Sequence, residues 1–89
     1  MSHAPERRQA VRARLASLIN EIANIPLDDI TDSATVDSEL QMESVTFVEL
    51  YVAIEDEYEV EIDPVQLVEL NRFDAIVDYV YEKTANGRG

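Results

Sequence analysis

Apolar residues recur along this sequence at helical spacing, and this periodicity constrains the fold more than any other feature. The first stripe occupies positions i, i+4, i+7, i+8 and i+11, which hold Val11, Leu15, Leu18, Ile19 and Ile22. No run alternates convincingly as a strand does, because residues 58–62 alternate over only five positions and lack a pairing partner. The sequence therefore predicts an all-α fold.

Two long helices follow from the stripes and from the residues that end them. The first runs from residue 5 to about residue 23, because Pro5 suits a first turn and Asn24 and Pro26 end the pattern. The second runs from Ser44 to Tyr58, with one apolar face made of Phe47, Leu50, Tyr51, Ile54 and Tyr58.

Two further helices are predicted from their capping residues. Asp63 before Pro64 is typical of an N-cap and a first helical position, so a short helix is expected through about residue 70. Asn71 with Asp74 three residues later resembles a capping box that opens a last helix. That helix has the apolar residues Phe73, Ile76, Val77 and Val80.

Residues 25–42 keep no period and form a long loop between the first two helices, which usually indicates a functional role. The prediction is a small four-helix bundle with three longer helices and one short helix. A length of 89 residues suits one domain, residues 1–89, with an ordered core of about residues 5–83. We expect residues 1–4 and 84–89 to be loose ends.

The charge distribution is one-sided. The net charge is −12, and residues 15–71 contain no Lys, Arg or His. The same stretch carries fifteen carboxylates, at Glu21, Asp28, Asp29, Asp32, Asp37, Glu39, Glu43, Glu49, Glu55, Asp56, Glu57, Glu59, Glu61, Asp63 and Glu69. We expect these charges to be unpaired within the protein, to repel nucleic acid and anionic membranes, and to attract basic protein partners. The alternative is that they only confer solubility.

Composition also bears on location and assembly. The longest apolar run has five residues, far short of a membrane span, and no apolar signal region follows the early arginines. We therefore expect a cytoplasmic protein that does not act in a membrane, and we expect it to be a monomer.

Few residues suit catalysis or metal binding. The sequence has no Cys and a single His, His3, so a nucleophilic triad is excluded. The carboxylates fall on loops and solvated helix faces, where they do not form the pocketed pair that acid–base chemistry requires. The spacing of the early loop acids does not fit a calcium loop either. We predict no catalytic residue and no metal ligand.

A second face of the second helix carries apolar residues outside its core stripe. Val45 and Val52 are seven residues apart, with Glu49 between them and Glu55 and Asp56 just beyond. Exposed valines fringed by carboxylates are typical of a protein-docking surface. The alternative is that both valines merely flank the core.

Ser44 lies where the long loop meets the second helix. A serine at this place is ordinarily an N-cap, which stabilises a helix by about 0.5–2 kcal/mol. A helix N-terminus also binds phosphate, because its free N–H groups and its dipole both favour an anion. On chemistry alone the N-cap is the favoured interpretation, and the phosphate site is the alternative.

Several segments together resemble the acyl carrier protein family, over roughly residues 11–83. LQMESV at residues 40–45 resembles the family's Leu-Gly-x-Asp-Ser-Leu signature, and VEL at 48–50 resembles its Val-Glu-Leu. AIEDEY at 53–58 is similar to Ala-Leu-Glu-Glu-Glu-Phe, EIDP at 61–64 to Glu-Ile-Pro-Asp, and residues 75–80 to Ala-x-Ile-Asp-Tyr-Ile. The order and spacing of these pieces are more specific than the short signature.

The resemblance implies that a phosphopantetheinyl transferase attaches 4'-phosphopantetheine to Ser44, and that acyl groups are carried as thioesters on that arm. Ser38 competes, because Asp37 precedes it as in the signature, but choosing Ser38 would misalign the later segments. The chain would not be an enzyme. Phe47, Ile54 and Val68 are candidates to line a shelter for the acyl chain.

By the same analogy the partner surface is Glu43, Val45, Glu49, Val52, Glu55 and Asp56. Its partners would be acyl-loading, condensing and modifying enzymes with basic patches, in fatty acid, polyketide or related biosynthesis. An acyl load is favoured over an aminoacyl or peptidyl one because the second helix is negative. The alternative from another class is an acidic helical interaction module without a prosthetic group.

Three positions depart from the signature. Gln41 replaces the usual Gly, Glu43 the usual Asp, and Val45 the usual Leu or Met. Gln41 indicates that this turn need not adopt a conformation reserved for glycine. Together the departures favour a specialised carrier with more selective recognition by the transferase.

Overall fold

Four helices and a short 3₁₀ turn make up the computed structural model, which describes residues 4–87 and the side chains of residues 8–85. The helices are α1 (Ala4–Ala23), α2 (Ser44–Tyr58), α3 (Pro64–Leu70) and α4 (Phe73–Gly87), and the 3₁₀ helix is Leu27–Asp29. Outside the helices, one isolated antiparallel bridge joins Thr35 and Arg72. The predicted all-α fold, with four helices and a long first loop, is confirmed.

The predicted helix bounds hold except at the outer ends. α1 already includes Ala4, and α4 continues through Gly87, so the expectation that residues 84–87 are loose is wrong. The Thr84 hydroxyl donates to the Tyr81 carbonyl at 2.8 Å within this last part of the helix. The rest of the predicted loose ends, residues 1–3 with His3 and residues 88–89, lie outside the described residues.

The core is built from the stripes that the sequence predicts. α1 packs against both α2 and α4, and α3 packs against α4. Each fully buried Leu, Ile or Phe side chain contributes on the order of 1.5–3 kcal/mol. The largest fully buried side chains are Leu15, Ile19, Leu50, Ile54, Leu67, Phe73, Ile76, Val77 and Val80.

The loop between α1 and α2 belongs to the same core. Ile30, Ala34, Val36 and Leu40 are buried although they follow no helical or strand period. The loop therefore has a defined path over the bundle, and that path positions the start of α2.

The short helix α3 begins as predicted. One oxygen of the Asp63 side chain, Oδ1, accepts hydrogen bonds from the Val65 amide at 3.0 Å and the Gln66 amide at 3.5 Å. Pro64 occupies the first helical position, where its missing N–H has no cost.

The start of α4 differs from the prediction. Asn71 ends α3 in the left-handed conformation, with φ 57° and ψ 3°, whereas an N-cap residue requires extended backbone. The first amides of α4 are instead satisfied by loop carbonyls, since Phe73 N–H donates to Ala34 at 3.0 Å and Asp74 N–H to Asp32 at 2.9 Å. The predicted capping box is wrong, because a distant loop supplies the cap.

The expectation that the carboxylates of residues 15–71 are unpaired is wrong at two positions. Arg12 Nε donates to Asp32 Oδ1 at 2.7 Å, and an Arg14 nitrogen donates to Glu57 Oε1 at 3.0 Å. Both arginines precede the stretch in sequence, and the packing of α1 brings them to it. None of the described helices is long and apolar enough to cross a membrane.

Candidate functional site

Ser44 is the first residue of α2, and its side chain is exposed. The N-cap is Glu43, whose backbone is extended at φ −76° and ψ 161° and whose carbonyl accepts from the Phe47 amide at 2.8 Å. Ser44 is therefore already helical, and the interpretation of this residue as the N-cap is wrong. Its hydroxyl stands at the helix end in contact with solvent.

The side chain of the N-cap residue Glu43 makes no capping hydrogen bond at the N-terminus of α2. The first N–H groups of a helix have no partner within the helix, and together with the dipole they give this end a partial positive charge. No acidic side chain occupies the first turn to neutralise it. An anionic group attached to the Ser44 oxygen would be stabilised there.

Gln41 turns the chain toward Ser44 in a left-handed conformation, with φ 50°. This conformation is favoured by glycine but not reserved for it, since Gln41 adopts it here. The residues on either side of Gln41 hold this turn in place. Leu40 is buried in the core, and the Met42 amide donates to the Val36 carbonyl at 3.0 Å. A left-handed backbone costs a residue with a Cβ about 1–2 kcal/mol.

The competing serine, Ser38, lies in the loop and also has an exposed side chain. Its hydroxyl donates to Asp37 Oδ1 at 3.2 Å, and it is not placed at the start of a helix. Exposure alone does not separate the two serines, whereas the position at a helix N-terminus does.

A groove of about 760 Å³ opens beside Ser44, between the loop, α2 and α3. Phe47 and Val68 line it as predicted, whereas Ile54 does not, because Ile54 is fully buried in the core behind it. The complete lining is Val36, Asp37, Met42, Ser44, Phe47, Val48, Pro64, Val65, Val68, Glu69 and Asn71.

Sequence reasoning missed the contributions of Val48 and Val65 to this groove. Val65 is 65% exposed and Val68 56% exposed, and Leu67 is the buried residue of α3. The signal was present, since two valines three residues apart share one face of a short helix while Leu67 points elsewhere. What the sequence lacks is the position of α2, which supplies Val48 on the opposite wall.

The predicted partner residues are exposed with one exception. Glu43, Glu49 and Asp56 are exposed, and Val45 and Val52 are 64% and 49% exposed, so neither valine is part of the buried core. The six residues predicted to bind partners are called the partner face below: Glu43, Val45, Glu49, Val52, Glu55 and Asp56.

Glu55 is the exception on the partner face. It is half-buried, and its Oε2 accepts a hydrogen bond from the Ile62 amide at 2.8 Å. Ile62 is itself buried, so this carboxylate holds the connection between α2 and α3. Glu55 therefore has a structural contact as well as a place on the surface.

The partner face retains its negative charge. The salt bridges of the described side chains join Arg8 to Asp78, Arg12 to Asp32, Arg14 to Glu57 and Arg72 to Asp74. None of these pairs includes a carboxylate of the partner face. Within the described residues, no group of three or more carboxylate or imidazole side chains is arranged to hold a metal ion.

Comparison with known proteins gives a consistent result. Residues 13–80 match the family described as the phosphopantetheine attachment site. An acyl carrier protein of Buchnera aphidicola subsp. Schizaphis graminum is 32% identical over 73 residues, which cover 82% of this chain and 92% of that protein. An acyl carrier protein of Thermobifida fusca is 33% identical over 66 residues, covering 74% and 84%.

A larger protein also contains a similar segment. A 5-methylorsellinic acid synthase of Aspergillus terreus is 32% identical over an alignment 89 positions long, which covers 98% of this chain but only 3% of that synthase. The chain is thus similar both to whole carrier proteins and to a small part of a large enzyme.

Proposed function

Since the chain belongs to the acyl carrier protein family, whose prosthetic group is 4'-phosphopantetheine, we propose that Ser44 is the residue that bears this group. Members of this family are carriers and not enzymes. The proposal depends on one observation, the exposed Ser44 hydroxyl at the uncapped N-terminus of α2 beside an open groove.

The residues around Ser44 suit the group. In the transfer the Ser44 hydroxyl loses its proton and its oxygen bonds to the pantetheine-side phosphorus of coenzyme A's pyrophosphate. The bond from that phosphorus to the bridging oxygen breaks, and adenosine 3',5'-bisphosphate leaves with that oxygen. The free amides of the first turn then lie beside the phosphodiester and stabilise its charge. The bound arm supplies a thiol that holds an acyl group as a thioester, and the chain has no cysteine of its own.

The groove beside Ser44 is the proposed shelter for the acyl chain. Phe47 and Val48 on α2 and Val65 and Val68 on α3 make its walls largely apolar. Burying an alkyl chain against them gains about 0.8 kcal/mol for each methylene group removed from water. Its volume of about 760 Å³ leaves room for a medium-length acyl chain.

We assign the carrier to acyl transfer in fatty acid, polyketide or related specialised biosynthesis. The similar proteins include both discrete acyl carriers and a 5-methylorsellinic acid synthase, which supports this range of pathways. The negative surface of α2 supports an acyl load over an aminoacyl or peptidyl one. The departures at Gln41, Glu43 and Val45 support a specialised member.

The partner face is proposed to bind the phosphopantetheinyl transferase and the acyl-loading, condensing and modifying enzymes through their basic patches. Its exposed valines give apolar contact, and its carboxylates outside the described salt bridges give electrostatic steering. Glu49→Lys should slow association with the transferase, and Glu82→Lys, an equal charge change at an exposed site on α4, should not. Equal association rates would place the docking surface elsewhere.

The attachment itself is tested by intact mass after incubation with coenzyme A and a broad-specificity phosphopantetheinyl transferase. We expect one phosphopantetheine addition to the native chain and to Ser38→Ala, and none to Ser44→Ala. Addition that depends on Ser38 would move the site to the loop. No addition with several transferases would favour an interaction module without a prosthetic group.

A further inference from the structure

The charges lining the groove are all negative. Its polar lining residues besides Ser44 are Asp37, Glu69 and Asn71, and two of these are carboxylates. All the lining residues lie between positions 36 and 71, inside the stretch that contains no Lys, Arg or His. The groove therefore has two acidic side chains and no cationic side chain in its walls.

Asp37 is held in place by neutral hydrogen-bond donors. Asn71 Nδ2 donates to Asp37 Oδ1 at 3.1 Å, and the Ser38 hydroxyl donates to the same oxygen at 3.2 Å. The Asp37 amide in turn donates to Asn71 Oδ1 at 3.2 Å. These bonds fix the carboxylate at the rim without neutralising it, and neither Asp37 nor Glu69 belongs to a described salt bridge.

We propose that Asp37 and Glu69 select the acyl load by its charge. An uncharged acyl chain enters the groove, whereas a chain that ends in a carboxylate stays in solvent. This inference rests on the proposed attachment of the carrier arm to Ser44. Asn71 is a positioning residue in this selection, because it acts through Asp37.

Two effects oppose the entry of a carboxylate into the groove, and only one of them depends on the charges of Asp37 and Glu69. The apolar walls remove water from any charged group, whatever lies at the rim. Asp37 and Glu69 add repulsion between like charges, which solvent and salt screen but do not abolish over a few ångströms. Removing the two rim charges should therefore raise the groove occupancy of carboxylated loads more than that of uncharged loads.

Two six-carbon loads on Ser44 separate these effects. Hexanoyl and adipoyl coenzyme A, with a broad-specificity transferase, would give two proteins that differ at the chain terminus. Groove occupancy is measured from the backbone amide chemical shifts of Val48 and Val68, relative to the protein with an unacylated arm. We expect hexanoyl to shift both amides and adipoyl to shift them little.

The deciding comparison uses two double variants with the same change in net charge. Asp37→Asn with Glu69→Gln should raise the ratio of adipoyl to hexanoyl occupancy about fivefold. Asp37→Asn also keeps an oxygen that can accept from Asn71. Asp28→Asn with Asp29→Asn, at exposed positions outside the groove, should leave both loads as in the native chain.

Three results would overturn the inference. Unchanged adipoyl occupancy in the rim variant would mean that the apolar walls alone reject the charge. An equal rise in the Asp28/Asp29 variant would mean that total charge decides. Adipoyl that fills the native groove as hexanoyl does would refute selection directly. Intact mass is read first, and a chain that takes no load at Ser44 rejects the proposed function together with this inference.

Discussion

Asp37 and Asn71, 34 positions apart, exchange two hydrogen bonds that tie the long loop to the end of α3. The backbone strengthens this connection, because the Val36 amide donates to the Asn71 carbonyl at 3.0 Å. Among the residues of α3 only Leu67 is buried. The hydrogen bonds at the two ends of α3 therefore do much to hold this helix in place as a wall of the groove.

Asn71→Gly should loosen α3. Glycine keeps the left-handed backbone at this position but removes both side-chain hydrogen bonds with Asp37, so we expect a loss of about 1–2 kcal/mol in unfolding free energy. Hydrogen exchange should also become faster in the α3 amides. Asn24→Gly is the matched control, because Asn24 ends α1 at φ 59° away from the groove. Equal losses in urea unfolding of both variants would contradict the role of the pair.

Glu55→Ala should destabilise the chain more than Asp56→Ala. The Ile62 amide would lose its acceptor, at a cost of about 1–2 kcal/mol, whereas the exposed Asp56 should contribute less than about 0.5 kcal/mol. Glu55→Gln keeps an acceptor oxygen and should retain most of the stability while removing the charge. Thermal unfolding of the three variants measures this order, and an Asp56→Ala loss as large as that of Glu55→Ala would argue against it.

Gln41→Gly should leave the melting temperature unchanged or raise it. Glycine relieves the left-handed strain at φ 50°, and this gain offsets its greater freedom in the unfolded chain. Gln41→Val should lower the melting temperature, because a β-branched side chain fits this conformation poorly. Differential scanning calorimetry measures the melting temperatures of both variants. A Gly variant markedly less stable than the native chain would show that the Gln41 side chain is needed.

Tyr58→Phe should make the fold less sensitive to alkaline pH. Burial raises the pKa of the Tyr58 phenol above its usual value, the charge of Glu57 adds to this, and Arg14 opposes it. Below about pH 10 the phenol is neutral in both states. Above that pH the phenol ionises first in the unfolded state. The stability that Tyr58 contributes is therefore lost as the pH rises toward the folded-state pKa. Urea unfolding at pH 8 and above pH 10 should show a smaller loss for Tyr58→Phe than for the native chain.

Salt should raise the melting temperature. Screening weakens the four described arginine bridges, which are exposed and contribute little each. It also weakens repulsion among nineteen acidic residues set against seven basic ones, and this effect should dominate. We expect a higher melting temperature at about 0.3 M sodium chloride than at low ionic strength, and a further rise with divalent cations. A melting temperature indifferent to both would indicate that the repulsion is negligible.

Most of the fold could be predicted because its signals are local. The stripe of α2, from Phe47 to Tyr58, follows from 3.6-residue periodicity, and the start of α3 follows from Asp63 before Pro64. The capping box predicted at Asn71 was wrong because the first amides of α4 donate to the carbonyls of Ala34 and Asp32, which lie about forty residues earlier in the chain. A pattern three residues long does not report such a partner.

The candidate site likewise has features that local sequence predicts and features that depend on contacts between distant segments. Ser44 and the valines of α2 were identified from motif and helical spacing, since both are properties of one segment. The groove was only partly predicted, because Val48 and Val65 lie on two different helices whose relative position the sequence does not show. The left-handed turn at Gln41 was missed because burial of Leu40 and the bond from Met42 to Val36 impose it.

The sequence by itself determined the four helices, the negative stretch without a basic residue and the serine at the start of α2, because these depend on residue order and short-range spacing. Only the tertiary structure decided that Glu55 supports a buried amide, that Asp37 is fixed by Asn71, and that two carboxylates stand at the rim of an apolar groove. Those relationships depend on distances between segments, which packing of the core sets and which no periodicity along the chain encodes.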